Sequence, residues 1–149
     1  MKTIKFRGKR IDNGEWVYGY FVGTTDSVAI IIPFDKVNYD VGYIGESECF
    51  YCHPETIGQF TGLLDKNGNE IYEGDILVWG ENGYKSTPLI VMFKHGAFGY
   101  TYIEDWFHSF AGNTNFTFNP LNTDIRFEII GNIHDKPELL KEQLKKLEE

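Results

Sequence analysis

The sequence predicts a mainly β protein that ends in a short α-helix, and three observations support this prediction. Among its 149 residues, 12 are Phe, 9 are Tyr and 3 are Trp, and aromatic residues are enriched in strands. Its 16 glycines stand with Asn and Asp between short apolar runs, which is the pattern of strands joined by tight turns. Residues 137–149 instead carry leucines at helical spacing.

Residues 1–54 are expected to form an N-terminal β subdomain, either a hairpin or a small three-stranded sheet. Its predicted parts are a strand at residues 3–7, an Asp-Asn-Gly turn at 12–14, a strand at 15–22 and a strand at 28–33. The last of these ends at a proline, which cannot donate to a strand ladder. Residues 35–51 alternate weakly and predict a strand plus an irregular loop.

Residues 55–136 are expected to form a second β subdomain. The clearest turn in the chain is Asn67-Gly68, which predicts a type I′ hairpin with positive φ at both residues. Further strands are predicted at 76–79, 88–93, 97–103 and 125–130. Residues 105–121 lack a clean period and predict a long loop or a partly helical insert. Five or six short strands with tight glycine turns suit a small barrel.

Residues 137–149 predict a C-terminal helix. Pro137 suits a first helical position, and Leu140, Leu144 and Leu147 form an amphipathic stripe at i, i+4 and i+7. Because so short a helix is not stable alone, these leucines and Leu139 should dock on an apolar surface. That surface belongs either to the same chain or to a neighbouring subunit.

The charge of the chain limits the partners that it can have. The net charge is −8, which disfavours general affinity for nucleic acid. However, Lys5, Arg7, Lys9 and Arg10 lie in an N-terminal stretch without an acid. They form either a local basic face or ordinary solvated strand positions.

Two features of the sequence bear on its compartment. It contains no apolar run that approaches the roughly 18 residues of a membrane span, and no apolar segment typical of a secretory signal follows its basic start. We therefore expect a cytoplasmic protein whose two cysteines are reduced.

Cys49, Cys52 and His53 form a C-x-x-C-H pattern, which is used for haem attachment. The same residues are weak candidates for a zinc site, which would need further ligands, or for a redox dithiol. The favoured interpretation is two loop or strand cysteines without a metal, so no cofactor is predicted.

Other polar clusters have simple structural interpretations. Asp65 begins a run that resembles a calcium loop, but Glu70 and Ile76 stand where that loop needs Gly and Glu. Paired carboxylates can divide acid and base roles when their pKa values differ. The candidate pairs are Glu73 with Asp75 and Glu104 with Asp105, for which turn formation is the simpler explanation.

Two aromatic trios recur at every second residue, so each should share one face of a strand. They are Trp16, Tyr18 and Tyr20, and Phe98, Tyr100 and Tyr102. Such a face could bind single-stranded nucleic acid or sugars, but a core or interface role is favoured for both.

Several stretches together resemble the YopX family of phage and prophage proteins. They are KFRGKR at 5–10, NGEWVYG at 13–19, PETIGQFTG at 54–62, DKNG at 65–68, EIYEGDI at 70–76, EIIGNIH at 128–134 and PELL at 137–140. The resemblance covers the chain from end to end. It implies a mainly β fold with an SH3-type barrel at about residues 55–134, and a bacterial host cytoplasm, but no activity or binding residue.

We therefore expect a phage or prophage accessory protein that acts by protein–protein contacts, as a homo-oligomer or with a host or phage protein. The residues expected at its contacts are Lys5, Arg7, Lys9, Arg10, Leu140, Leu144 and Leu147. The alternative is nucleic-acid association through the basic N-terminal strand, or acidic mimicry of DNA against a host protein. An enzyme is the third hypothesis, and no membrane contact is expected.

Overall fold

The computed structural model describes residues 3–24, 27–37, 49–110, 117–122 and 125–149, without the side chains of 108–110, 143, 144, 147 and 148. Internal contacts divide the chain into two compact units, Met1–Gly62 and Leu63–Glu149. Most of the interpretation of residues 35–51, and part of that of 105–121, lies outside the described residues.

The first unit is built around an antiparallel sheet. Its strands are β1 (Phe6–Lys9), β2 (Trp16–Thr24), β3 (Val28–Ile32), β4 (Phe50–Tyr51) and β5 (Gly58–Leu64), with single 3₁₀ turns at Phe34–Lys36 and Pro54–Thr56. The order is β4-β3-β2-β1-β5. Thus the sequence predicted the first three strands. It did not predict the bounds of β4 or the 3₁₀ turns at Phe34–Lys36 and Pro54–Thr56.

One face of this first sheet forms the core of its unit. Ala29, Ile31 and Cys52 are buried there, and partly buried side chains of the neighbouring strands pack against them. Because side chains alternate along a strand, the residues between these positions form the opposite face. That face contains every second residue of β2 from Trp16 onward.

The second unit contains most of the remaining strands. They are β6 (Glu70–Tyr72), β7 (Asp75–Trp79), β8 (Leu89–Lys94), β9 (Ala97–Tyr102), β10 (Asn119–Pro120) and β11 (Phe127–Asn132). The last two residues of β5 also fall in this unit, and β6 is the neighbour of β5. The other five strands form an antiparallel sheet with the order β10-β9-β8-β7-β11.

The turn between β5 and β6 is not the predicted type I′ hairpin. Gly68 has a φ of 84°, but Asn67 is not among the residues with positive φ, and type I′ requires it at both. The loop is longer, because the Asp65 N–H donates to the Asn69 carbonyl at 2.7 Å. The side chain of Asp65 organises this loop from within, which the dipeptide pattern did not reveal.

Two helices complete the second unit: α1 (Ile103–Phe110) and α2 (Pro137–Glu148). Leu140 of α2 is buried in one core cluster with Ile76, Ile90 and Ile103. A second cluster contains Ile71, Leu77, Leu89, Val91, Tyr100 and Phe127. Burial of this many large apolar side chains is the main source of stability for such a unit.

The prediction of a mainly β protein with a short C-terminal helix is confirmed, since the described chain forms two antiparallel sheets and two short helices. Both sheets are open in the part of the chain that the structure describes, and the SH3-type barrel stays a prediction. Neither of the described helices is long and apolar enough to cross a membrane.

Candidate functional site

The cysteine pattern is split between buried and accessible positions. Cys52 is 1% exposed and its thiol donates to the Phe50 carbonyl at 3.6 Å. Burial raises the pKa of the Cys52 thiol to about 11, which works against a reactive thiolate or metal ligand. His53 Nδ1 lies 3.9 Å from a carboxylate oxygen of Glu55. Among the described residues no three His, Cys, Asp or Glu side chains are grouped as metal ligands.

Three of the four candidate basic residues share one face of the first sheet with an aromatic trio. In the β1–β2 register Arg7 is opposite Tyr18, and Lys9 is opposite Trp16. Lys5 lies on the same side by alternation. We call Lys5, Arg7, Lys9, Trp16, Tyr18 and Tyr20 the basic-aromatic face.

The cations of this face lie over aromatic rings. The Arg7 guanidinium carbon is 4.6 Å from the centre of the Trp16 ring, and Lys9 Nζ is 5.7 Å from it. Lys5 Nζ is 5.0 Å from the Phe60 ring. Attraction between a cation and a ring face holds such side chains in position. The face is therefore organised before any ligand arrives.

Arg10 is placed differently. It forms a bidentate pair with Asp12 at 2.6 and 2.9 Å, and its guanidinium carbon lies 4.2 Å from the Phe50 ring. This hydrogen-bonded pair raises the pKa of Arg10 and lowers the pKa of Asp12. Because Asp12 neutralises it locally, Arg10 adds little positive charge to the basic-aromatic face.

The same face continues as an exposed apolar patch across β2, β3 and β4. Cross-strand pairing places Val22 beside Ile30 and Ile30 beside Tyr51. The exposed fractions of the large side chains are 45% for Tyr18, 39% for Tyr20, 50% for Val22, 44% for Val28 and 63% for Tyr51. We call these five residues the apolar patch. The sequence indicated that Tyr18 and Tyr20 share a face of β2. It did not indicate that strand pairing brings Val28 and Tyr51 to the same face.

The carboxylates of the second unit have structural partners. The Asp65 carboxylate accepts backbone N–H bonds from Asn67 and Asn69 at 2.9 Å and from Ile129 at 3.2 Å. Burial opposes ionisation, but these hydrogen bonds outweigh it and lower the pKa of Asp65. Asp75 is 2% exposed and accepts the Tyr72 N–H at 2.8 Å. Both groups therefore hold turns together. For Asp75 this is the turn-forming role that the sequence favoured, whereas the role of Asp65 was not expected.

A cleft in the second unit gathers three basic residues that are far apart in sequence. It has two connected parts of about 170 and 480 Å³, which share the lining residues Lys66, Trp79, Gly80, Glu81 and Arg126. The smaller part is also lined by Asn82, Gly83, Tyr84, Lys85 and Glu128. No spacing in the sequence relates these three bases, so a sequence pattern does not indicate that they meet.

The structure describes the side chains of two of the four leucines in the C-terminal helix, and both pack in the core. Leu140 is 7% exposed in the core of the second unit, and Leu139 packs against the same cluster. The helix therefore docks on its own chain through these residues, which was one of the two expected arrangements. The side chains of Leu144 and Leu147 lie outside the described residues.

Together these features define a mainly β protein with a small charged cleft in one unit and, in the other, a sheet face that joins an exposed apolar patch to half-buried lysines and the buried Arg7. The family model of the YopX protein matches residues 5–141, and the chain belongs to the YopX family. The crystal structure of protein EF1440 from Enterococcus faecalis is similar over 94% of this chain and 99% of that chain, with 22% sequence identity and a TM-score of 0.48. The curated proteins include no match to this chain.

Proposed function

We propose that the chain is a non-enzymatic accessory protein of a phage or prophage that self-associates through the apolar patch. Its exposed tyrosine and valine side chains carry the proposal, because they form one continuous sheet face. Exposed apolar patches of this kind mark interaction sites, and tyrosine is enriched in interfaces. The phage origin and the bacterial cytoplasm rest on family membership.

The position of β4 adds to this proposal. Among the described strands β4 lies at the end of the first sheet, and it contributes the exposed ring of Tyr51 to the apolar patch. The carbonyl of Tyr51 on the outer side of β4 already accepts the Ile11 N–H at 2.9 Å, so the ring of Tyr51, and not the strand edge, supports the proposal. A second copy would thus contact the face of the sheet.

The test measures oligomeric state by native mass spectrometry and sedimentation of the full chain. We expect Val22→Glu and Tyr51→Glu each to weaken self-association at least about tenfold, because each buries a charge at the interface. Phe93→Glu is the matched control, since Phe93 is 52% exposed in the other unit. A wild-type monomer at about 0.1 mM, which corresponds to negligible affinity, would overturn the proposal.

A second candidate function is binding of single-stranded nucleic acid by the basic-aromatic face. The observation that favours it is the interleaving of Lys5 and Lys9 with Trp16, Tyr18 and Tyr20 on one sheet face. Arg7 lies on the same face but is only 6% exposed, so it supports the Trp16 ring rather than contacting phosphates. Bases stack on aromatic side chains while cations follow the phosphates. The first unit carries six basic and eight acidic residues, against eight and fourteen in the second, so this unit repels phosphate less.

This candidate is tested by fluorescence anisotropy with labelled oligothymidine at low salt. We expect affinity to fall steeply as salt rises, and the double variant Lys5→Ala/Lys9→Ala to weaken binding about tenfold or more. Lys141→Ala/Lys145→Ala is the control, because it removes the same charge from exposed positions of α2. Equal losses in both variants would show nonspecific attraction instead.

We also propose that the second unit is an open relative of the SH3-type barrel. Two features support this: β7, β8 and β9 form a meander, and the last strand β11 returns to pair with β7. The register of β11 shifts between Ile129 and Gly131, and such a bulge bends a strand as barrel closure requires. An experimental structure in which β11 is straight and unpaired would contradict it.

A further inference from the structure

We propose that the cleft at the end of β7 is a binding site for a small ligand in which one anionic group is attached to a planar ring. Everything that lines the cleft lies within the second unit. This inference does not depend on the apolar patch or on the basic-aromatic face.

The charges around the cleft favour an anion. The lining contains Lys66, Lys85 and Arg126, against Glu81 and Glu128. Lys66 Nζ lies 2.6 Å from a carboxylate oxygen of Glu128, and this hydrogen bond lowers the pKa of Glu128. Lys85 also acts electrostatically on Glu128, so the lining as a whole carries three cations against two carboxylates, an excess of one positive charge. Ammonium and guanidinium groups are the usual partners of phosphate and carboxylate.

The surroundings limit the ligand to a low charge. The second unit carries eight basic and fourteen acidic residues, so its field repels anions in general. Residues 63–135 of this unit contain four basic residues, and three of them line this one cleft. The exception is Lys94. A single anionic group can use this local excess of positive charge, whereas a polyphosphate or a nucleic-acid strand meets the surrounding acids.

The aromatic walls of the cleft favour a planar ring. Trp79 and Tyr84 both line it, with their ring centres 5.6 Å apart and their planes tilted by 55°. Tyr84 is 62% exposed and Trp79 is half-buried, so their ring surface is accessible to a planar ligand in the offset or edge-to-face contacts that aromatic rings prefer. The part of the cleft that both rings line measures about 170 Å³. The adjoining part, which Trp79 lines but Tyr84 does not, measures about 480 Å³ and lies within the range of small-molecule sites.

The loop that carries these residues is fixed to the end of β7. The Trp79 N–H donates to Ser86 Oγ at 3.0 Å, and the Ser86 N–H donates to the Trp79 carbonyl at 2.8 Å. At Gly80, a Cβ atom would collide with the carbonyl of Tyr84. These constraints hold Tyr84 and Lys85 beside Trp79 before a ligand binds, which lowers the ordering cost of binding.

The test is titration of the ¹⁵N-labelled full chain by NMR, with the indole N–H of Trp79 as reporter. The probes are adenosine monophosphate and 4-hydroxybenzoate, their uncharged counterparts adenosine and phenol, and inorganic phosphate. We expect at least one of the two anionic ring probes to bind at about millimolar strength or better, and its uncharged counterpart at least about tenfold more weakly. Binding of the nucleotide alone would identify a phosphate monoester, and binding of 4-hydroxybenzoate alone a carboxylate.

Two variants and one control separate the cleft from general attraction. We expect Lys85→Ala and Arg126→Ala each to weaken binding about fivefold to tenfold, while Lys94→Ala changes it less than about twofold. The proposal is overturned if no anionic ring probe shifts the Trp79 signal at about 5 mM, or if inorganic phosphate binds as tightly as the nucleotide. Unchanged binding in the double variant Lys85→Ala/Arg126→Ala would also overturn it.

Discussion

The two aromatic trios have the same spacing but different surroundings. On β2, Tyr18 and Tyr20 are 45% and 39% exposed, whereas on β9 Tyr100 is 7% exposed and belongs to the core of its unit. Tyr100 contacts the Phe127 ring edge-to-face at 5.5 Å between ring centres. One trio therefore forms surface, and the other contributes to the interior.

The cross-strand partners account for this difference. Trp16 is opposite Lys9 and Tyr18 is opposite Arg7, so two members of the β2 trio are opposite cations, while Tyr20 is opposite Ile32 on β3. On β9, Tyr100 is opposite Val91 and Tyr102 is opposite Leu89, which supply an apolar neighbour at each step. The comparison teaches that an aromatic period on one strand does not identify a core face until the partner strand and its register are known.

The largest effect is expected when each trio loses its middle ring. Tyr100→Ala should destabilise the protein by about 3–5 kcal/mol, because it leaves a cavity in the core. Tyr18→Ala should change stability by less than about 0.5–1 kcal/mol, since its ring is already partly in water. Urea unfolding of both variants measures the difference. Similar losses would show that the β2 trio is also core.

The next effect concerns the Asp65 loop between β5 and β6. Asp65→Ala should cost about 2–3 kcal/mol, because three part-buried backbone N–H groups, those of Asn67, Asn69 and Ile129, lose their acceptor. Asp12→Ala is the control, with a carboxylate that is 65% exposed. Urea unfolding of the two variants compares a carboxylate that organises a loop with a surface ion pair.

The same residue predicts an acid dependence. Because the pKa of Asp65 is lowered in the folded state, its contribution is present above the unfolded carboxyl pKa, about 3.9, and is lost as pH falls through the folded value. In Asp65→Asn this part of the acid slope should disappear. The measurement is the free energy of unfolding as a function of pH. If the slope is the same in Asp65→Asn as in the wild type, other carboxylates cause the acid dependence.

A smaller effect is expected within the basic-aromatic face. Trp16→Leu removes the ring that lies beneath both Arg7 and Lys9, and should cost about 1–2 kcal/mol. Trp16→Phe should recover about half of this, because it retains a ring face. Equal stability of the two variants in thermal unfolding would indicate that apolar area, and not the cation–ring attraction, stabilises the face.

The smallest effect is at high pH. Burial, with a further contribution from Tyr102, raises the pKa of Tyr100. Its contribution to stability is therefore present below the unfolded tyrosine pKa of about 10 and is lost as pH rises through the folded value. Above about pH 10 the unfolding midpoint of the wild type should decline as pH rises. In Tyr100→Phe the slope of this decline should be smaller by roughly a few tenths of the wild-type slope. An unchanged decline would place the responsible group elsewhere.

Local chemistry made much of the fold predictable. The strands of residues 6–9, 16–24, 28–32 and 75–79 follow from β-forming side chains between turn residues, and the helix at 137–148 follows from its leucine spacing and Pro137. The YopX family membership also rests on motifs that are contiguous in sequence. These properties involve residues within one turn or one strand of each other, so a pattern can represent them.

The remaining features depend on residues that meet only after folding. Asn67-Gly68 favours a tight hairpin, but the carboxylate of Asp65 competes by binding the loop N–H groups and that of Ile129 on β11. The exposure of the β2 trio depends on its register with β1, and the cleft brings Lys66, Lys85 and Arg126 together from three separate segments. Register, burial and convergent charge are long-range properties, which strand propensity and spacing along a single chain do not contain.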